Sequence, residues 1–344
     1  MIKLPLTLAV LLAMAAPASA AGDATLWERY KADFISADGR VIDFYQDQAS
    51  HSEGQGYGML MAAAFGDRKA FDSLWKWTKT NLGVRKDPLF AWKWGKRLNG
   101  RWEIIDVNNA SDGDILIAYA LLKAGAKWND KQYTAEAAKI IQAVRTTLVA
   151  EFEGRLLLLP SYYGYIGKDS FSFNPSYLIM PAFKAFAKVD DNAFWNKLRD
   201  DGFYFISKSL FGEKALPADW VTVSRKGLSI DDDKSVVCGY EAMRVFLHLS
   251  IDDPKSLPDG AKELLRIYDG LGYAPAWVDI AKNSFSMQSA SAGVYAILAI
   301  TAEALGKKGT AENLLKDAAK KISNEKRSYY SFSLYLIATS GAMK

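Results

Sequence analysis

The residues of this chain best suited to chemistry are carboxylic acids set at the starts of apolar helices. Glu53 stands in His51-Ser52-Glu53-Gly54-Gln55-Gly56-Tyr57-Gly58-Met59, one carboxylate among three alternating glycines. Residues 59–65 are apolar or small throughout and read as a buried helix. Glycines at this density let a backbone lie close against something bulky. The stretch therefore reads as a glycine loop holding Glu53 at the mouth of that helix, or, with no site attached, as a surface turn with a solvated Glu. Asp112-Gly113-Asp114 opens a second apolar helix after Asn108-Asn109-Ala110-Ser111. Capping of free backbone N–H groups accounts for one of those two acids. Together they form a polar cluster at the start of a buried helix. A third run, Asp231-Asp232-Asp233, reads as a solvated loop leading into a helix.

Other chemistries find less support. His51 and His248 are the only histidines, too few for a His-rich zinc site, and no Gly-x-Ser-x-Gly elbow exists for a serine triad. Cys238 is the only cysteine, so no intramolecular disulfide forms, and its apolar surroundings suit a small core residue. No metal or cofactor is expected. Met1-Ile2-Lys3, a short apolar run and Ala18-Ser19-Ala20 make the pattern of a secretory signal over residues 1–20. Without Lys3 the net charge of +4 becomes +3. That excess is too small to indicate a nucleic-acid or membrane partner, and no later stretch is apolar and long enough to cross a bilayer. The mature chain is expected to be exported, soluble and monomeric. The 10 Trp and 17 Tyr suit a core and also suit stacking on sugar rings.

The elements that must position these groups alternate between two kinds. Residues 25–35, 67–82, 130–150, 193–210, 259–271 and 310–322 are amphipathic with one charged face. Residues 58–65, 112–124, 175–187, 235–249, 286–305 and 329–341 are apolar or small nearly all round. A helix apolar on every side must be buried on every side. Six outer and six inner helices in alternation predict an all-α double ring, the (α/α)6 barrel, over residues 21–344 as one domain. Inner helices recur roughly every 45–60 residues, the spacing of an αα-hairpin array. Residues 90–102 and 155–165 read as short β-type insertions, with Pro160 arguing against a central strand.

Ala110-Ser111-Asp112-Gly113-Asp114, followed by Ile117-Ala118, Ala120-Leu121-Leu122, Ala124 and Trp128, resembles the signature of glycoside hydrolase family 8. The Ser52–Met59 stretch is similar to that family's general-acid segment, and Gly239-Tyr240-Glu241-Ala242-Met243-Arg244 to its general-base segment. The likeness spans nearly the whole chain after the leader and runs toward the periplasmic endoglucanases that accompany bacterial cellulose synthases. It implies an inverting β-1,4-glucan hydrolase acting on cellulose chains, with a functional link to a cellulose synthase complex. Glu53 would be the general acid, and Asp112 would hold the sugar at the cleavage point. Tyr240 and Arg244 would frame the attacking water. Trp92 and Trp102 would be stacking platforms, and Asn109 and Tyr177 further substrate contacts.

One position departs from the family pattern. Glu241 stands where the base is usually Asp. Its carboxyl lies about one methylene further from the backbone, which shifts the water-filled gap by on the order of an ångström. The base is then Glu241 or another acid, with Asp112 and the Asp231–Asp233 run as candidates. Inversion requires an acid, a base and room for water between them, with carboxyls about 6.5–9.5 Å apart. Two other readings stay open at this stage. One is a glucan-binding protein that has lost most catalysis through the Asp-to-Glu change, and the other is a hydrolase of xylan or chitosan.

Overall fold

The computed structural model describes residues 18–344, so most of the leader sequence lies outside the described residues. Among the described residues twelve α-helices follow in six pairs. The outer set is α1 (Ala18–Phe34), α3 (Arg68–Asn81), α5 (Lys131–Thr147), α7 (Asn192–Lys208), α9 (Gly260–Leu271) and α11 (Lys308–Asn324). The inner set is α2 (Ser52–Phe65), α4 (Ser111–Trp128), α6 (Met180–Phe186), α8 (Met243–Asp252), α10 (Ala292–Ala304) and α12 (Tyr329–Ser340). Each inner helix touches the next, from α2 through α4, α6, α8 and α10 to α12, and α12 closes the circle against α2. The outer helices lie on this ring, α3 on α2, α5 on α4, α7 on α6, α11 on α10 and α1 on α12. The architecture is the (α/α)6 barrel that the alternation of patterns predicts.

The pattern works because each helix class has one burial solution. In α11 the buried residues are Leu314, Ala318 and Ile322, one stripe at i, i+4 and i+8. In α4 every residue from Ser111 to Leu121 is buried. Small residues let the inner helices approach closely. A Cβ on Gly56 would lie 2.5 Å from Leu116 Cβ, and one on Gly113 would lie 2.1 Å from Ser52 Oγ. The glycines after Glu53 are thus not a loop. The helix begins at Ser52, and the cost of about 1 kcal/mol for each helical glycine is offset where α2 and α4 pack backbone to backbone. Buried Gln55 ties this segment down. Its Oε1 accepts from the Val41 amide at 2.6 Å, and its Nε2 donates to Thr78 Oγ1 at 2.9 Å.

The predicted β insertions form. Strands β1 (Ser50–His51), β2 (Lys93–Lys96) and β3 (Trp102–Asp106) make a small antiparallel sheet, with Ser50 opposite Trp94 and Lys96 opposite Trp102. Strands β4 (Val149–Phe152) and β5 (Arg155–Leu158) make a hairpin, and Pro160 lies beyond it. Three inner helices start later than their apolar patterns suggest. Residues 237–238 pair with 278–279, so α8 begins only at Met243. Residues 284–285 pair with 278–279, so α10 begins at Ala292. Residues 175–177 form a separate 3-10 turn before α6. Glu241 accordingly sits in the turn ahead of α8, not within it. The acidic run is also less solvated than its composition suggests. Asp231 is buried and accepts from Ser172 Oγ at 2.8 Å and Lys234 Nζ at 2.7 Å.

Candidate active site

Inner helices in alternate outer–inner order all run the same way, so their first turns gather at one rim. Glu53 is the second residue of α2 and Asp112 the second of α4. Tyr329 and Tyr330 open α12. Glu241 and Arg244 flank the start of α8. Arg244 binds this set together. Its Nη1 donates to Glu53 Oε1 at 2.5 Å and to Asp112 Oδ2 at 3.0 Å, and its Nη2 donates to Glu241 Oε2. The Tyr57 hydroxyl lies 3.4 Å from Nη1. Arg244 is only 1% exposed, and its guanidinium lies 5.4 Å from the centre of the Tyr177 ring. Glu53 and Glu241 come from the first and fourth hairpins, opposite members of the ring, and reach different nitrogens of one side chain.

Three carboxyl groups share one buried cation, so they cannot all be comfortably ionised. Burial pushes Glu53 up to about 8, against the lowering effect of Arg244, with Asp112 and Glu241 adding to the rise. Asp112 is raised as well, by burial first and with Arg244 opposing. Glu53 still keeps 18% of its side-chain surface in contact with solvent. The rise favours the protonated form, and the exposed part leaves it open to a ligand, the combination that proton donation to a leaving oxygen requires. Glu241 is more open, at 37%, and is held by Asn174 Nδ2 at 3.0 Å and Ser176 Oγ at 3.3 Å. A cleft of about 670 Å³ is lined by both Glu53 and Glu241, with Tyr240, Tyr329, Tyr330 and Ser289.

The remaining expected residues divide. Tyr240 is 40% exposed on the cleft wall, and its carbonyl accepts the Tyr330 hydroxyl at 3.0 Å. Trp92 is half-buried and stacks on His51 at 5.6 Å. Trp102 is 41% exposed and stacks on Trp94 at 5.2 Å, with the Arg40 guanidinium beside both rings. Asn109 is buried and its amide is occupied. It donates to Asp114 at 2.8 Å and accepts from the Tyr162 amide at 2.8 Å, so its contribution is to fix the loop. Asp114 also accepts from the Phe90 amide at 2.9 Å, which anchors the segment leading to Trp92. Both histidines are held toward the neutral form. Burial lowers His51 to about 4, and burial with Arg244 beside it lowers His248 to about 3.

Several participants escaped the sequence reading. Asp219 is buried and accepts from the Gly239 and Ala242 amides, both at 2.9 Å, holding the turn that carries Glu241. Asn174, Ser176, Tyr57, Tyr329 and Tyr330 also surround the carboxyl groups. The tyrosines had a usable signal, since Tyr329 and Tyr330 occupy the same helix-opening position in the last inner segment as Glu53 does in the first. Asp219 had none, because its partners lie 20 and 23 residues on in an irregular loop.

Comparison with known proteins agrees with this geometry. The model of Glycosyl hydrolases family 8 matches residues 2–342. An endoglucanase of Cellulomonas uda is 37% identical over 279 residues, covering 80% of this chain and 77% of the relative. The crystal structure of endoglucanase Cel10 from Klebsiella pneumoniae superposes with a TM-score of 0.77 at 34% identity, over 87% of this chain and 99% of that one. The endo-beta-1,4-glucanase CMCax from Acetobacter xylinum does so with a TM-score of 0.76 at 31% identity, over 89% and 100%. With a double ring of helices, a raised carboxylic acid at its rim and a family match across almost the whole sequence, the chain belongs to glycosyl hydrolase family 8.

Proposed function

We propose that this glycoside hydrolase cleaves internal β-1,4 bonds of glucan chains with inversion at the anomeric carbon. The observation that carries the reading is the pairing of Glu53 and Glu241 on one buried arginine, with burial raising Glu53 well into the range of a neutral acid. Glu53 gives its proton to the glycosidic oxygen as the bond to the anomeric carbon breaks. Glu241, from the opposite side of the ring, takes a proton from the water that attacks the other face of the sugar. Asp112, fixed by Arg244 and the Gly113 amide at 2.8 Å, holds the sugar at the point of cleavage. Trp92 and Trp102 present ring faces to further glucose units. The names of the similar endoglucanases support glucan as the substrate.

The leader pattern over residues 1–20 supports an exported enzyme, and among the described residues no helix is long and apolar enough to cross a membrane. A role in trimming glucan during cellulose synthesis rests on the resemblance of the active-site segments. The test is release of reducing ends from carboxymethyl cellulose. Wild-type protein should turn over, and Glu53→Gln should not. Tight cello-oligosaccharide binding by wild type without turnover would contradict the reading.

A further inference from the structure

The two oxygens of Glu53 face different groups. Oε1 lies 2.5 Å from Arg244 Nη1, and a guanidinium can only donate. The proton of the neutral acid therefore sits on Oε2. The Tyr329 hydroxyl lies 3.3 Å behind Oε2. Behind that hydroxyl lies His51 Nδ1 at 3.5 Å, and 3.8 Å from the same nitrogen lies Asp43 Oδ2. Asp43, His51 and Tyr329 are all buried and come from the loop before β1, from β1 and from α12.

Two observations choose the histidine tautomer. His51 Nε2 is buried without a partner. An orphaned N–H is rarer in protein interiors than an under-used acceptor, so the bare nitrogen is Nε2. The Asp43 carboxylate beside Nδ1 draws the proton to Nδ1 as well. Nδ1–H then points at the Tyr329 oxygen, and the O–H of Tyr329 is left to point at Glu53 Oε2. Stacking on Trp92 at 5.6 Å and on Tyr329 at 6.3 Å fixes the plane of the imidazole.

We propose that His51 and Tyr329, with the Asp43 carboxylate biasing the imidazole tautomer, form an oriented donor chain that positions a hydrogen bond on the oxygen from which the general acid releases its proton. The proposal rests on Glu53 being that acid. Before transfer Oε2 carries the proton and the Tyr329 contact is weak. During transfer the Oε2–H bond breaks, a new O–H bond forms on the glycosidic oxygen, and that oxygen keeps the electrons of the broken bond to carbon. Oε2 becomes an anion, and the waiting hydroxyl becomes a charge-assisted donor. Tyr329 keeps its own proton, since burial and the nearby Glu53 hold it well above its ordinary range. His51 stays neutral, held so by burial and by Lys93. The other groups facing Glu53 are Arg244, Asp112, Glu241, Tyr57, Tyr30, Tyr177 and Tyr330.

The test uses two substrates. Cellopentaose has a leaving oxygen that needs a proton, and β-cellobiosyl fluoride has a leaving group that needs none. Tyr329→Phe should lower kcat on cellopentaose by about tenfold, as loss of one hydrogen bond does, and leave fluoride hydrolysis within about twofold of wild type. His51→Phe keeps the ring stack, removes the donor and should act in the same direction. The alkaline limb of the kcat–pH profile should move to higher pH in both variants, because a lost donor to the carboxylate raises the pKa of Glu53. An undiminished rate on cellopentaose, equal losses on the two substrates, or an unmoved alkaline limb overturns the proposal. Glu53→Gln tests the underlying assignment separately. It should lose cellopentaose hydrolysis and retain fluoride hydrolysis, and a Gln variant active on cellopentaose removes Glu53 as the acid whatever Tyr329 does.

Discussion

Glu53 is held in a protonation state that the fold itself pays for. Its carboxyl rises from an ordinary 4.5 to about 8, so the folded chain binds the proton more tightly than the unfolded chain. Between those two values folding takes up a proton, and stability falls as pH rises through the window. Below the lower value the group contributes no penalty, and above the upper one the penalty is complete. Glu53→Gln keeps the size and a hydrogen bond to Arg244 but cannot titrate. It should lose at least about 10²-fold in turnover while melting higher than wild type at about pH 9, with the two converging near pH 4. Calorimetry across pH reads this, and a Gln variant with the wild-type pH dependence would place the titration elsewhere. Glu53 and Asp112 were legible in the sequence because each is an acid at the head of an apolar run. Arg244 was legible only through the family resemblance, since its partners Glu53 and Asp112 are 191 and 132 residues away and no local pattern pairs them.

At the scale of elements, the first turns of α2 and α4 form one unit. Gly56 and Gly113 let them meet with almost no side chain between, which places Glu53 and Asp112 on the same guanidinium. Gly56→Ala puts a Cβ 2.5 Å from Leu116 Cβ. Overpacking of this kind costs about 1–3 kcal/mol, and the displaced α2 should carry Glu53 with it, lowering both the melting temperature and kcat. A melting temperature unchanged by Ala would mean that the contact relaxes freely. The turn before α8 is the second unit. Asp219→Ala removes the acceptor for two buried amides at a cost of roughly 1–3 kcal/mol each. Because that turn carries Glu241, kcat should fall more than KM rises. The glycine-rich segment misled the sequence reading because glycine serves turns and close helix packing alike, and only the neighbouring helix, 60 residues away at Leu116, tells which. The late starts of α8 and α10 were illegible for a similar reason, since strand pairs between residues 237–238, 278–279 and 284–285 consume the apolar residues that would extend either helix.

At the scale of the molecule, alternation of amphipathic and all-apolar segments pointed to the ring, because a double ring buries six inner helices on every side while each outer helix buries one face. The ring in turn explains how two carboxyl groups 188 residues apart (241 − 53) reach one arginine. Parallel inner helices bring their first turns to one rim, and opposite hairpins leave a cleft between them. What the pattern could not supply is how wide that cleft is at the point of cleavage, which depends on Glu241 reaching further than an Asp. Glu241→Ala should be nearly inactive, and Glu241→Asp should match or exceed wild type if the shorter carboxyl leaves better room for water. The central claim is that a water enters between Glu53 and Glu241 and attacks with inversion. Proton NMR of cellopentaose hydrolysis, recorded before the products equilibrate, tests it directly. The account predicts that the newly formed reducing ends appear first as the α-anomer. Initial appearance of the β-anomer would contradict it, because retention requires a nucleophile where this account places a base.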